Sequence, residues 1–214
     1  ISQPRAAAPG TFGTMRFERK VAFVTGGAIG FGRAFVRALA NEGAAVAIAD
    51  IDAAAGERTA AELRADGFAA MAVTTDVGRD DQVWDAVGKV VEALGGVDIL
   101  INNAGLHLLK YNQPFGALGR DEVRALFDVN VIGVINCSLA CRSSMADRGG
   151  GVIVNIASMA GHMPSTPYGV SKLAVRGLTS ALAAEFARDG IRVNALSPGL
   201  MNTENAMAEL PKTM

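Results

Sequence analysis

Short apolar segments alternate with longer amphipathic segments along most of the chain, and this pattern restricts the possible folds more than any other feature. The short segments predict six strands, at residues 21–25, 44–50, 68–76, 97–102, 152–157 and 191–196. Between them, a 3.6-residue period predicts helices at residues 30–41, 53–65, 79–94, 120–147 and 168–188. Such alternation is typical of βαβ units, in which helices cover both faces of a parallel sheet. We therefore predict a three-layer α/β/α domain with a doubly wound parallel sheet.

The length and composition indicate one domain. The chain has 214 residues, and no repeat or low-complexity linker interrupts the alternation of strands and helices. Residues 1–14 carry Arg5 but no apolar segment of the kind found in a secretory signal. Their Ala, Pro and Gly content predicts a leader or a cloning remnant without ordered structure. We therefore assign residues 15–214 to a single domain.

The charged residues argue against two classes of partner. The 20 basic and 21 acidic residues leave a formal net charge of −1, and the absence of a basic run disfavours nucleic acid and anionic membranes. The longest stretch without a charged residue, 149–171, contains two prolines and five glycines, which suits a membrane-spanning helix poorly. We expect a cytoplasmic protein.

The cysteines point to the same compartment. Cys137 and Cys141 lie four residues apart in an apolar helical segment, and we expect them to be reduced core thiols rather than metal ligands. His107 and His162 are far apart in the sequence, and either could line a substrate pocket or simply pack in a loop. We therefore predict no metal site.

A glycine-rich turn follows the first predicted strand. Gly26, Gly30 and Gly32 allow a sharp turn and a close approach to a phosphate, which the N-terminus of the next helix would bind. The spacing G-x3-G-x-G departs from the common G-x-G-x-x-G dinucleotide pattern, so an ordinary tight turn is the alternative.

Asp50 ends the second predicted strand, where a carboxylate can accept hydrogen bonds from an adenosine ribose. The same charge would repel a 2′-phosphate, and neither Ile29 nor Ile51 supplies a cation to bind one. The sequence therefore predicts NAD rather than NADP. The alternative is that Asp50 caps the helix that begins near Ala53.

Tyr168 and Lys172 lie four residues apart at the start of the last predicted helix and therefore on one face of it. A nearby ammonium favours the phenolate, which would bring Tyr168 into range for proton transfer. The spacing alone is weak evidence. Ser158, after the fifth strand, and Asn130, in the long fourth helix, become interesting as partners of this pair.

These residues, together with others in the same order, resemble the classical short-chain dehydrogenase/reductase family from about residue 16 to residue 203. The matching motifs are Thr25-Gly26-x3-Gly30-x-Gly32, Asp76-Val77, Asn102-Asn103-Ala104-Gly105, Tyr168-x3-Lys172 and Pro198-Gly199 with Thr203. The resemblance implies a Rossmann-type fold and an oxidoreductase that uses a nicotinamide cofactor.

The resemblance also implies a role for each matching residue. Tyr168 would be the general acid/base, and Lys172 would lower its pKa and bind the nicotinamide ribose. Ser158 would polarise the substrate carbonyl or orient the alcohol, and Asn130 would hold a water in a proton relay. The residues implied to contact NAD are Gly26, Ile29, Gly30, Phe31, Gly32, Asp50, Ile51, Asp76, Val77, Asn103, Ala104, Gly105, Tyr168, Lys172, Pro198, Gly199 and Thr203.

The predicted activity is hydride transfer between a nicotinamide and a secondary alcohol or ketone. Two alternatives stay open: a nucleotide-binding regulatory protein without turnover, and a non-redox enzyme on the same fold. We also expect a homo-oligomer, a tetramer or a dimer. Its contacts would be helices 120–147 and 168–188, because the second carries many apolar residues, including Leu173, Leu182 and Phe186.

The sequence departs from the family pattern in three places. Ile29 and Phe31 replace residues that are more usual in the glycine loop. Ser158 and Tyr168 are ten residues apart, which is closer than in most members. The resemblance implies a seventh strand and a preceding helix, which we expect to be missing from a chain that ends at Met214. Outside these motifs, Trp84 is predicted to pack on its helix.

Overall fold

The computed structural model describes residues 15–106 and 108–199. These residues form one sheet of six parallel strands in the order β3-β2-β1-β4-β5-β6. The strands are β1 (Val21–Thr25), β2 (Ala45–Asp50), β3 (Ala70–Thr74), β4 (Ile99–Asn102), β5 (Gly151–Ile156) and β6 (Ile191–Leu196). The strand order reverses between β1 and β4, and in doubly wound sheets the ligand crevice forms at the carboxyl ends of the strands at such a point. Residues 1–14, His107 and the segment 200–214, which includes Thr203, lie outside the described residues.

Helices cover both faces of this sheet. They are α1 (Gly30–Asn41), α2 (Ala53–Ala65), α3 (Asp80–Leu94), the short α4 (Leu108–Tyr111), α5 (Arg120–Phe127), α6 (Gly133–Asp147) and α7 (Pro167–Phe186). Helices α1 and α2 pack on one face, and α3, α6 and α7 pack on the other. The predicted three-layer, doubly wound α/β fold is confirmed.

The alternation of side chains along each strand builds the two halves of the core. In β1, Phe23 packs toward α3, α6 and α7, whereas Ala22 and Val24 pack toward α1 and α2. Every residue of this strand is buried, as expected for a central parallel strand with helices on both sides. The site at the carboxyl end of β1 therefore rests on a rigid, close-packed base.

Several predicted boundaries are wrong because the flanking backbone has other hydrogen-bond partners. β3 does not extend to residues 68–76, since the Phe68 N–H donates to the Leu63 carbonyl at 3.0 Å. β4 begins at Ile99 rather than at residue 97, since the Val97 N–H donates to Ser144 Oγ at 2.9 Å. The end of a helix takes the place of strand pairing at Phe68, and a side chain takes its place at Val97.

The predicted helix over residues 120–147 is a continuous helical run, but it is not one regular α-helix. Residues Asp128–Ile132 form a π-helical segment between α5 and α6. A π-helical segment adds a residue to the turn and rotates the side chains that follow it. Asn130 lies in the middle of this segment and is buried.

The same helical run, Arg120–Asp147, is long and apolar enough by length and composition to cross a membrane. Its mean hydropathy is 1.5 over an 18-residue window, and 39% of that window is buried inside the fold. Core helices of soluble proteins meet the same criteria, so this feature is weak evidence for a membrane span.

Several side chains in the helices are placed differently from the prediction. Trp84 of α3 is 51% exposed instead of packed on its helix. Leu182 and Phe186 of α7 are buried in the core, so they are not available for a subunit contact, whereas Leu173 is exposed.

The predicted core position of the two cysteines is confirmed. Cys137 and Cys141 are both free and buried on the face of α6 that packs on the sheet. Burial raises the pKa of the Cys137 thiol to about 12, so this group is unreactive near neutral pH.

Asp98 joins three parts of the fold at the amino end of the sheet. Its carboxylate is 3% exposed and accepts from the Val21 N–H at 2.8 Å, from Lys20 Nζ at 3.0 Å and from Arg148 Nη2 at 2.8 Å. Burial alone would raise the pKa of Asp98, but the hydrogen bonds from Arg148, Val21 and Lys20 outweigh it and hold the pKa below its usual value. This cluster fixes the starts of β1 and β4 to the end of α6.

We expect Asp98→Ala to lower the free energy of unfolding by about 3 kcal/mol at neutral pH, because it leaves two partly buried cations and a buried N–H without their acceptor. Asp66→Ala, which removes an exposed pair with Arg37, should cost less than about 1 kcal/mol. Because the folded-state pKa of Asp98 is depressed, the difference between wild type and Asp98→Ala should shrink as the pH falls below about 4. Denaturant unfolding of the three proteins checks this, and equal costs for the two variants would contradict it.

Candidate active site

The glycine turn after β1 presents the N-terminus of α1 to open space. Ile29 is the N-cap residue, and no side chain caps the helix. Gly30 has a φ of +55°, and a Cβ at this position would meet nothing within 4 Å. At Gly32, in contrast, there is no room for a side chain, because a Cβ there would collide with the Gly26 carbonyl. The uncapped N–H groups of α1 are therefore available to a phosphate.

Thr25 and Asn103 fix this turn to the segment that follows β4. Thr25 Oγ1 accepts from the backbone N–H groups of Asn103 and Ala104, each at 3.0 Å, and donates to the Ile101 carbonyl at 3.3 Å. The Asn103 amide donates in return to the carbonyls of Thr25 at 2.9 Å and Gly26 at 3.0 Å. The two predicted cofactor segments thus form one unit.

Asp50 is not the cap of α2, so the alternative role is wrong. Asp52 caps that helix by accepting from the Ala55 N–H at 2.9 Å. The Asp50 carboxylate instead accepts from the N–H groups of Ala28, at 3.0 Å, and Asp52, at 3.1 Å. It therefore lies beside the glycine turn at the carboxyl end of β2.

The side chains around Asp50 are largely apolar. Ile51 is 71% exposed, and Ile29 is also exposed. Arg33, the arginine nearest in sequence to the glycine turn, is paired with Glu62 on α2. The carboxyl end of β2 therefore presents apolar side chains and one carboxylate to a ligand.

The pair Asp76-Val77 is held between α3 and α6. The Asp76 carboxylate accepts from the Gly78 N–H at 2.9 Å, and the Val77 carbonyl accepts from Asn136 Nδ2 at 2.9 Å. A Cβ on Gly133 would come within 2.7 Å of the Val77 side chain, so only glycine permits this packing. Gly133 and Asn136 were not among the predicted site residues, although both lie in the first turn of α6, just after the segment that holds Asn130.

Tyr168 and Ser158 lie near each other at the carboxyl end of β5. α7 begins at Pro167, because Thr166 caps it by accepting from the Gly169 N–H at 3.2 Å, and this places Tyr168 in the first turn. The Tyr168 side chain is 6% exposed and packs with Tyr111 and Leu126. Burial raises the pKa of the Tyr168 phenol, and the Ser158 hydroxyl partly opposes this by lowering it.

Lys172 lies one turn further along α7. Its Nζ is 5.9 Å from the centre of the Tyr168 ring and donates to the Ile156 carbonyl at 2.7 Å. Burial lowers the pKa of Lys172 from 10.5 to about 8, so the ammonium form still dominates at neutral pH. No carboxylate among the described residues pairs with it, and only one of its three donor positions is used.

Asn130 reaches the same place from the π-helical segment. Its Oδ1 accepts from the Leu106 N–H at 2.8 Å, and its Nδ2 donates to the Leu106 carbonyl at 3.0 Å and to Ser171 Oγ at 3.1 Å. A Cβ on Gly105 would lie 3.3 Å from Asn130 Oδ1 and 3.6 Å from Lys172 Nζ. Asn130, Lys172 and Gly105 therefore converge. Ser171 was missed by the sequence analysis, although its spacing from Tyr168 is that of adjacent turns.

The remaining predicted residues lie at the other side of the crevice. The Pro198 carbonyl accepts from the Met159 N–H at 2.9 Å, and a Cβ on Gly199 would contact Met159. His162 is exposed in the loop after Ser158. The structure thus brings the predicted residues from all six strand ends to one edge of the sheet, apart from Thr203 and His107, which lie outside the described residues.

Comparison with known proteins assigns this chain to a family. A family profile described as short chain dehydrogenase matches residues 20–213. The chain belongs to the short-chain dehydrogenase family. An uncharacterised oxidoreductase of Mycobacterium tuberculosis is 41% identical over 202 residues, which is 92% of this chain and 82% of that protein.

Two solved dehydrogenase structures are close in fold. An NAD⁺-bound xylitol dehydrogenase superposes with a TM-score of 0.84 at 35% identity, over 89% of this chain and 74% of that one. A gluconate 5-dehydrogenase from Burkholderia cenocepacia, in complex with NADP and tartrate, gives 0.84 at 37% identity, over 91% and 76%. The chain is therefore an oxidoreductase with a nucleotide-binding Rossmann fold. Its uncapped α1 N-terminus and the open space over Gly30 fit the phosphates of a nicotinamide dinucleotide.

Proposed function

We propose that the protein is an NAD-dependent dehydrogenase that interconverts a secondary alcohol and a ketone. The observation that carries the proposal is the convergence of Tyr168, Ser158 and Lys172 at the sheet edge that also holds the uncapped glycine turn. A bound nicotinamide supplies the hydride chemistry, and the protein supplies position and proton transfer. Turnover separates this proposal from a regulatory nucleotide binder.

Tyr168 is the proposed general acid/base. Its phenol is buried among apolar side chains, where the neutral form is favoured until a substrate oxygen and nearby charges arrive. The Ser158 hydroxyl lies beside it and favours the phenolate. In the oxidation direction Tyr168 accepts the proton of the substrate alcohol, and in the reduction direction it returns one to the carbonyl oxygen.

Lys172 and Asn130 are proposed to support this proton transfer. The Lys172 ammonium is close enough to Tyr168 to stabilise the phenolate, and its two free donor positions suit the hydroxyls of the nicotinamide ribose. Asn130 holds the backbone of Leu106 beside Gly105, and its Oδ1 retains one lone pair that can accept from a relay water.

Asp50 is the proposed determinant of NAD preference. Its carboxylate is held at the end of β2 by two backbone N–H groups, where it can accept from the adenosine ribose. A 2′-phosphate would meet this charge together with two exposed isoleucines, Ile29 and Ile51, and the nearby Arg33 is already paired with Glu62.

The proposed substrate is an alcohol or ketone with an apolar portion. Met159 and Met163, in the loop that follows Ser158, are both exposed beside the predicted reaction site. Methionine side chains adapt to varied apolar shapes. The free, buried thiols of Cys137 and Cys141 suit the reducing cytoplasm, which we propose as the location.

We expect Tyr168→Phe to lower kcat by on the order of 100-fold or more while changing the Kd of NAD by less than about twofold, because it removes only the proton-transferring hydroxyl. Tyr111→Phe is the matched control, since Tyr111 is the other tyrosine and lies in the same buried cluster. The wild-type rate of alcohol oxidation should also rise with pH as Tyr168 loses its proton. Steady-state kinetics with a panel of secondary alcohols and cofactor titrations measure these effects, and wild-type kcat in Tyr168→Phe would show that the assignment is wrong.

We expect NAD to bind more tightly than NADP, and Asp50→Ala to reduce the ratio of their affinities by about tenfold, or about 1.4 kcal/mol, by removing the repulsion. Asp52→Ala, which removes the neighbouring carboxylate and the cap of α2, should leave the ratio unchanged and lower stability by about 1 kcal/mol. Calorimetric titration of both cofactors into the three proteins measures the ratios. Equal affinities for the wild type would refute the preference.

We also propose a homo-oligomer, a dimer or a tetramer, whose contacts include α6 and α7. Leu139 of α6 and Leu173 of α7 expose large apolar side chains on helices that otherwise pack on the sheet. We expect light scattering to give a multimer for the wild type and a smaller species for Leu139→Glu. Val91→Glu, on α3, should not change the mass. A wild-type monomer would contradict the proposal.

A further inference from the structure

The loop between β5 and α7 is closely fitted against the helix that carries Tyr168 and Lys172. Residues Met159–Gly161 form a single 3-10 turn directly after Ser158. A Cβ on Gly161 would come within 2.8 Å of the Lys172 carbonyl carbon and 2.9 Å of the Leu173 nitrogen, so only glycine allows the loop to lie so close. This contact explains how a connection of ten residues can still bring Ser158 to Tyr168.

Arg176 holds this loop from the helix side. It lies one turn beyond Lys172 on α7, and its Nη1 donates to the Gly161 carbonyl at 3.0 Å. Within residues 15–106 and 108–199 this is its one side-chain hydrogen bond, and no carboxylate pairs with it. Arg142 behaves differently, since it bridges α6 to Asp189 and Glu185 through ion pairs. A half-buried guanidinium that is directed at a backbone carbonyl indicates a specific attachment rather than a general charge pair.

The 3-10 turn that Arg176 holds is hydrogen-bonded to both the backbone and the side chain of Ser158. The Gly161 N–H donates to the Ser158 carbonyl at 3.0 Å, and Ser158 Oγ accepts from the Ala160 N–H at 3.2 Å. The backbone and the hydroxyl of Ser158 are therefore both bonded to the turn that Arg176 holds on α7.

We propose that Arg176 is a positioning residue that, through Gly161, holds the Ser158 hydroxyl against the Tyr168 phenol. The proposal extends the function proposed above, because Ser158 and Tyr168 are its reacting pair. The guanidinium itself acts on the loop and does not touch substrate or cofactor.

Loss of the Arg176 attachment should change the ionisation of the Tyr168 phenol. The Ser158 hydroxyl lowers the pKa of the Tyr168 phenol, whereas burial raises it. If the loop shifts when its attachment is lost, the phenol loses the interaction that favours its ionised form. Its ionisation then moves to higher pH.

The experiment follows this ionisation by the ultraviolet absorbance of the phenolate. The chain contains two tyrosines, so the titrations use a Tyr111→Phe background in which Tyr168 alone contributes. Arg176→Met removes the guanidinium but keeps an unbranched stem, Arg176→Lys keeps a cation and a donor, and Arg188→Met removes an exposed arginine just beyond α7. We expect Arg176→Met to raise the phenol midpoint by on the order of 0.5–1 pH unit, Arg176→Lys to raise it less, and Arg188→Met to leave it unchanged.

A second arm asks whether the effect passes through Ser158. In a Ser158→Ala background the hydroxyl is gone, so Arg176→Met should give no further shift. An equal shift with and without Ser158, or no shift in either background, would overturn the proposal. If Arg176→Met loses its fold, as judged by circular dichroism, the same cycle with Arg176→Lys decides.

Turnover gives an independent reading. With an alcohol that the wild type oxidises, Arg176→Met should lower kcat by about tenfold and leave the Kd of NAD unchanged, since the glycine turn is not altered. A protein that oxidises no alcohol would refute the proposed function, whereas the titration would still decide the role of Arg176.

Discussion

The hydroxyl of Thr25 joins the two halves of the site. It accepts from two consecutive backbone N–H groups after β4 and donates to the end of that strand, while the Asn103 amide closes the junction from the other side. Because the glycine turn and the Gly105 segment are tied here, the predicted phosphate end and the reaction end keep a fixed separation. Without this junction, the two loops would be held together mainly through the paired strands β1 and β4.

The proposed reaction end depends in turn on a local break in helix geometry. The π-helical segment Asp128–Ile132 turns Asn130 inward, where its amide pairs with the Leu106 backbone as a neighbouring strand would. Ser171 is bonded to both the Asn130 amide and the Tyr168 carbonyl. Three elements that are distant in the chain therefore share one hydrogen-bonded frame around Gly105 and Lys172.

The sequence was sufficient for the sheet and for the strand-end motifs, because both leave local signals. Apolar runs predicted six strands, and glycine spacing with Asp50 and the Tyr168–Lys172 pair predicted the sheet edge at which we propose the site. It could not predict the π-helical segment, since a 3.6-residue period fits the whole run from 120 to 147. Arg176 and Asn136 were missed for a related reason: each acts on a backbone carbonyl that is distant in the chain or in another element, and no spacing rule records such a contact. The exposure of Trp84 likewise depends on where the neighbouring helix ends up.

The role proposed for Lys172 in catalysis has a cost in folding stability. A buried ammonium without a carboxylate among the described residues is less stable in the folded chain than in the unfolded one, and its lowered pKa of about 8 corresponds to a folding penalty on the order of 3 kcal/mol. The penalty is complete below about pH 8 and disappears as the pH rises toward 10.5, where the unfolded chain also loses the proton. A neutral residue of similar length at this position would therefore stabilise the fold, and under the proposed function it would also lower activity. Under the proposed function, the charge at Lys172 is an example of a stability–activity trade-off.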